Sequence, residues 1–385
     1  MQPSRFTALA AAAGAALLSS ILFADPYPSK GQVLQVLEVF DNPEGAIFSA
    51  DGRFVFVSNA AELGMPDKGF HWTEKAGYVS KLAVQDDGTL KMVNERLVTG
   101  LTAPLGMAVS PVATGKFPKG SIFLCLGAAP IAEASGTHIG NASRMDPKLL
   151  VFDVDGRIVG EIKMGLGSPF EKLSGAPATL PNAAGFDKDG NLYVADTGIA
   201  GAAFTPPVKV AGGVWMIPHG SIDALASGQG APIHFVPMPQ SGPDGLEVAW
   251  DGAVHTNTVG VAAGMPDPGQ GAMYRLTKAD FQAGRLPLPF AHGLGALDGL
   301  DFVGTVRLDT EIAKTNSVTV TPPYGQPMTL AFDKERKLAG PADIAVRKLS
   351  DGSWLLVIPE LSAVSPNNKK NPVTVIKLPA GFERF

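Results

Sequence analysis

Four residues able to do chemistry together recur at one position of a repeated phrase. They are Glu44 in Asn42-Pro43-Glu44-Gly45, Asn182 in Leu180-Pro181-Asn182, Asp244 in Gly242-Pro243-Asp244-Gly245 and Asp298 in Ala296-Leu297-Asp298-Gly299. Proline presets φ and glycine permits φ > 0, so Pro-x-Gly reads as a tight turn that leaves its middle side chain on display. Brought together, three carboxylates and an amide form a hard oxygen donor set suited to Ca2+, with Mg2+ or Mn2+ as alternatives. Three clustered carboxylates repel one another unless a cation or a proton neutralises one. The competing reading is local, because Asp and Asn at turns often bond their own backbone. Glu44 separates the two readings, since Glu is a poor former of such turns.

The elements that must position these residues are legible around them. Each phrase leads into a short apolar strand, and several continue to an Asp-Gly hairpin and a second strand. Pro43 to Asp51, Pro181 to Asp189 and Pro243 to Asp251 are each eight residues apart. Asp-Gly between apolar runs is a strong hairpin signal. Six copies begin at residues 43, 104, 181, 243, 297 and 341, with Leu105 and Ala342 displayed in the second and sixth. Outer strand pairs follow at Val79–Val84 with Leu90–Arg96, Leu149–Val154 with Arg157–Lys163, and Gly213–Ile217 with His234–Met238. Copies of this length, each with room for about four strands, predict an all-β, six-bladed β-propeller. The left-over strands Val33–Val39 and Val373–Leu378 are expected to pair in the last blade, closing the ring and removing open edges. Helix is confined to single turns near Ser221–Ser227 and Lys278–Gln282.

In an up-and-down blade the start of the first strand and the end of the second share one face. The long connections at 60–77, 127–148, 196–212, 258–272 and 359–372 therefore crowd the face of the displayed residues. Loops on a rigid scaffold are where function concentrates. One face reads as functional and the other as plain.

Composition bounds the alternatives. The formal net charge is −5 with no basic run, so nucleic-acid binding has no electrostatic support. Arg5 followed by the apolar run Phe6–Phe23 and the small residue Ala24 reads as a secretory signal over residues 1–24, with one propeller domain over 25–385. A retained anchor is the alternative, the run being near the short limit for a membrane span. The expectation is a secreted or periplasmic chain that meets a small-molecule substrate, and no membrane once the signal is removed. The single cysteine, Cys125, excludes an intramolecular disulfide and reads as a small core residue.

On these phrases the chain resembles the calcium-dependent six-bladed propellers that include gluconolactonases, regucalcin and diisopropylfluorophosphatase-like hydrolases. In that group a Glu from the first blade, Asn residues from the third and fourth and an Asp from the fifth hold Ca2+ on the axis. Glu44, Asn182 and Asp298 match by blade, and Leu105 falls where the second blade supplies no ligand. Asp244 departs from the pattern, standing where the group often has Asn. The resemblance implies hydrolysis of a lactone or related ester, with Asp298 as general base or nucleophile and Asp244 next in line. Two other readings compete: a non-enzymatic propeller that binds a ligand or protein around a structural Ca2+, and a strictosidine-synthase-like propeller.

The remaining candidates are weaker. Asn59, Asp196 and Asn257 end second strands on the functional face, where Asn257 is a candidate substrate contact and loop capping the plainer role. His71 and Trp72 in the first long loop are candidate pocket residues, although aromatic side chains also anchor long loops. His138 and His255 carry no motif. Asp153-Val154-Asp155-Gly156 lacks the remaining ligands of a calcium loop and reads as a hairpin turn.

Overall fold

A computed structural model describes residues 26–61, 63–64, 71–128, 131–132, 141–198, 206–238, 242–262, 265–266, 269–334, 336–361 and 370–384. The proposed signal over 1–24 lies outside them, as does His138.

The chain is an all-β propeller. Four separate sheets each hold four antiparallel strands, beginning from the inner strands Pro43–Phe48, Pro104–Val109, Pro181–Phe186 and Pro243–Val248. The three outer pairs read from the sequence form, as Gly77–Val84 with Leu90–Leu101, Lys148–Phe152 with Ile158–Lys163, and Gly213–Ile217 with His234–Pro237.

The fifth and sixth phrases, with the two terminal strands, form one eight-stranded sheet rather than two separate blades, and a three-stranded and a two-stranded sheet are built from short loop strands. The edges of the eight-stranded sheet are the inner strands Leu297–Val303 and Ala345–Lys348. The fusion comes from the first strand, which runs over Pro26–Phe40 and is longer than the sequence suggested. Its second half pairs antiparallel with Asn371–Leu378, matching Val33 to Ile376 and Leu37 to Val373. Its first half pairs parallel with Met328–Phe332, matching Pro26 to Thr329. The terminal strands thus meet as expected, and one of them also covers the edge of the neighbouring group.

The inner strands close a ring. Neighbouring inner strands are in contact all the way round, including Pro43–Phe48 against Ala345–Lys348. The sixth phrase is tied sideways on both flanks: the Ala342 carbonyl accepts from the Gly299 amide (2.7 Å), and Asp343 Oδ2 from the Ala46 amide (2.9 Å). The segment bonds its neighbours first, and its own regular strand starts only at Ala345.

The Pro-x-Gly phrase works differently from the expected turn. The positive φ falls on the residue before proline, at Asn42 (51°), Ala103 (44°), Gly242 (61°) and Gly340 (67°). The glycines after the displayed residue make room for the next blade. A Cβ on Gly45 would stand 2.6 Å from the Leu105 carbonyl oxygen, and one on Gly245 would stand 2.2 Å from that of Asp298. The pairing register slips at this place in five inner strands, between Pro43 and Ala46, Pro104 and Met107, Pro181 and Ala183, Pro243 and Leu246, and Leu297 and Leu300. A bulge bends the strand and re-aims a side chain; here it is what turns the displayed residue.

Between blades the core is apolar and continuous. Phe123, Trp215, Phe170 and Leu180 are among its fully or nearly fully buried members. The short helices are Pro169–Ser174, Ile222–Ala226 and Lys278–Ala283. The first was not anticipated, although Ser168, Pro169 and Glu171 spell a capped start and the Ser168 side chain accepts from the Glu171 amide.

Candidate functional site: a buried ring of acids

Glu44, Asn182, Asp244 and Asp298 come from four inner strands, and all are buried, at 5, 8, 5 and 7% exposure. The bulges are held by second-strand side chains. Ser58 accepts from the Gly45 amide and donates to the Leu105 carbonyl, both at 2.8 Å. Asn257 Oδ1 accepts from the Gly245 amide (2.8 Å), while its Nδ2 donates to the Gly299 carbonyl (3.2 Å) and to Asp309 Oδ1 (2.9 Å). Asn257 therefore ties the turn carrying Asp244 to the turn carrying Asp298. Behind it, Arg307 makes a two-pronged pair with Asp309, and both are buried (Nε to Oδ2 2.8 Å).

The four displayed side chains act on one another. Asn182 Nδ2 donates to Asp244 Oδ1 and also to Thr197 Oγ1 (3.3 Å). Burial, then the negative charges of Asp343 and Asp244, push the Glu44 carboxyl well up. Burial, then Asp244, Glu44 and Asp343, do the same to Asp298. Burial and Asp343 push Asp244 up to about 8, against the opposing Thr197 hydroxyl. Glu44 Oε2 is buried and has no hydrogen-bond partner among the described residues.

Three acids missed in the sequence extend this site along the axis. Asp343 is pushed up to about 6 by burial, against the Ala46 and Ile344 amides it accepts from. Glu247 rises to about 7 through burial and Asp343, and Asp301 rises well up through burial and Glu247. A cavity of ≈ 30 Å³ lies among Glu247, Asp301, Asp343, Ala46, Gly106 and Ala183. The signal was present: Glu247 and Asp301 each stand three residues after a displayed acid, and Asp343 directly follows Ala342.

The donor set has the chemistry of a cation site on two counts: a buried carboxylate oxygen unpartnered among the described residues, and six acids that these residues offset with hydroxyl and amide donors alone. Among the described residues no group of three or more Asp, Glu, His or Cys side chains is placed to hold a metal ion.

The weaker candidates serve structure. Asp196, fully buried, accepts from the amides of Thr179, Leu180 and Gly212, as a loop cap does. Asn59 accepts from the Asp41 amide and donates to the Val57 carbonyl and Ser80 Oγ. Trp72 packs in the core with Leu105 and Leu180. His71 opens the strand His71–Thr73, and its side chain is outside what the structure describes. His255 packs edge-on to Phe290 and Phe302, and burial with the Arg307 charge lowers its imidazole to about 3, so it is neutral at physiological pH. Cys125 is buried in the core, as its setting in the sequence suggested.

No family model matches this sequence, and no curated protein matches it. Solved structures share the fold at low identity. A gluconolactonase from Xanthomonas campestris is 14% identical, with a TM-score of 0.53 over 92% of this chain and 97% of that one. A glucose dehydrogenase is 12% identical, with a TM-score of 0.51 over 91% of this chain and 99% of that one. A luciferin-regenerating enzyme is 12% identical, with a TM-score of 0.50 over 89% and 94%. At these identities the likeness defines the propeller class and nothing finer.

Proposed function

We propose that this chain is a six-bladed propeller hydrolase of a lactone or related ester, dependent on an axial divalent cation, Ca2+ before Mg2+ or Mn2+. The eight-stranded sheet counts as blades five and six, fused by the first strand. The observation that carries the reading is the orphaned Glu44 Oε2 within a ring of acids that raise one another's proton affinity. Glu44, Asn182, Asp244 and Asp298 would hold the ion. The likeness to a gluconolactonase agrees with this reading.

When bound, the cation supplies a Lewis acid for the substrate carbonyl. Asp298 takes the proton of the attacking water, or itself attacks, and Asp244 is the next candidate for that role. Asn182 orients Asp244 through its amide. Asn257, read from the sequence as a candidate substrate contact, instead holds the backbone beneath both acids. With its leading run read as an export signal, cleaved or kept, the protein works on the far side of the inner membrane, in a periplasmic or extracellular setting.

A panel of lactones and aryl esters, assayed with and without EDTA, tests the reading. Hydrolysis that EDTA abolishes and Ca2+ restores is the expected result. Retained metal with no turnover on any substrate would place the chain among binding propellers instead.

A further inference from the structure

The face opposite the acid ring is not plain throughout. In the fourth and fifth blades it carries four large side chains in water: Trp250 at 69% exposure, Leu288 at 91%, Phe290 at 50% and Tyr324 at 103%. Their places in the fold put them at one end of the molecule. Trp250 lies in the hairpin joining Pro243–Val248 to Val254–Thr258, at the far end of the inner strand from Asp244. Leu288 and Phe290 precede the strand Ala291–Leu294, whose far end, Leu294, pairs with Gly271 on the acid-ring side. Tyr324 sits in the turn after Ser317–Thr321, beyond Thr321, which pairs with Arg307 near the far end of its blade. The two blades touch beside these residues: Arg307 of the fifth lies over the Phe290 ring (5.5 Å), and the Thr321 hydroxyl donates to the Met273 sulfur of the fourth (3.9 Å).

The chain enters the fold at this same end. Pro26 pairs with Thr329, five residues after Tyr324. Tyr27 donates to the Phe382 carbonyl (2.9 Å) and packs on its ring (4.7 Å between centroids). The next residue, Glu383, lies against Gly304 in the hairpin turn of Leu297–Val303. In the sequence only Ala24 and Asp25 separate Phe23, the end of the apolar run, from Pro26. Two residues reach about 10 Å at most between their flanking neighbours. A retained run would hold this face against the bilayer.

We propose that this face rests on a lipid bilayer, with the run Phe6–Phe23 retained as its anchor. Trp250 and Tyr324 have the amphipathic rings that favour the headgroup level, and Leu288 and Phe290 supply apolar area. The acid ring then opens away from the membrane. This inference does not depend on the chemistry proposed for that ring.

The test uses the full chain with phosphatidylcholine vesicles whose acyl chains carry bromine, which quenches nearby indoles. Trp72 and Trp215 are buried and Trp354 is half-buried with its indole N–H on Glu383, so Trp250 is the most exposed of the four indoles. The expected result is strong quenching that disappears in Trp250→Phe, and, for the chain cut after Ala24, which has only the face to bind with, a vesicle partition coefficient lowered ~10-fold or more in Trp250→Ala/Leu288→Ser/Phe290→Ser/Tyr324→Ala. An unchanged thermal melt shows that these surface variants remain folded. Absence of quenching, quenching that persists in Trp250→Phe, or a chain recovered only in soluble form cut after Ala24 would each overturn the proposal. A concentration-dependent dimer that the four substitutions abolish, without vesicle binding, would assign the face to a second copy and overturn it equally.

Discussion

Two sets of aspartates stand about eight residues apart in the same repeated phrases, with opposite electrostatics. At one end of the inner strand, Asp244 is pushed up to about 8 by burial and by Asp343. At the hairpin end of the first blade, Asp51 is drawn down to about 2, chiefly by the Ser49 hydroxyl and the Arg53 amide. Ser49 Oγ donates at 2.7 Å and Arg53 Nε at 2.6 Å. Asp351 is likewise lowered by Lys377 and Ser353. Residue type and spacing are shared; partners differ. The hairpin acids meet donors and water, so their charge is already satisfied. The axial acids meet one another, and their charge needs something from outside.

Four predictions sharpen this contrast. Asp298→Asn should lower hydrolysis by roughly 10²–10⁴-fold while leaving the fold intact, as loss of a general base does; steady-state rates and a melt check both parts. Asp309→Ala should cost about 3–5 kcal/mol, because it leaves Arg307 buried and unpaired. Denaturant unfolding measures that cost, and a loss below ~1 kcal/mol would count against Asp309 as a support of the ring.

The third prediction concerns pH. The raised axial acids bind protons in the folded chain that the unfolded chain releases above about pH 4. Their stabilisation is therefore complete below that range. It is lost as pH rises through about 6 for Asp343, 7 for Glu247 and 8 for Asp244. A chelator-treated sample should melt lower near pH 8.5 than near pH 5, and Ca2+ should reverse most of that loss. A flat profile would remove the electrostatic basis of the site. The smallest effect belongs to the hairpin set: Asp51→Asn should change stability by about 0.5 kcal/mol or less and leave cation affinity unchanged.

Much of this contrast was legible in the sequence. The recurring phrase located the inner strands, and the Asp-Gly pairs located the hairpins, because both rest on local backbone chemistry. The convergence of Glu44, Asn182, Asp244 and Asp298 followed from their common register. Asp343, Glu247 and Asp301 carry no mark in the repeated phrase, which singles out one position per blade, whereas several successive levels of the inner strands contribute buried acids. The role of Gly45 and Gly245 was hidden for a related reason: a neighbouring blade's carbonyl, absent from any local reading, excludes a Cβ. The fused eight-stranded sheet depends on the first strand taking two partners, which periodicity alone does not reveal. Asn257 was legible as a polar residue at a strand end, but its bonds to two blades are a product of assembly.

The most direct test is calorimetric titration of chelator-treated protein with Ca2+ near pH 7, repeated in two buffers of different ionisation enthalpy to count protons. Binding at the axis should displace protons, since burial and Asp343 push Asp244 up to about 8. The account predicts saturable binding of an ion with net proton release, both lost in Glu44→Gln/Asp298→Asn. No binding, or binding with no proton release that survives those substitutions, would contradict it.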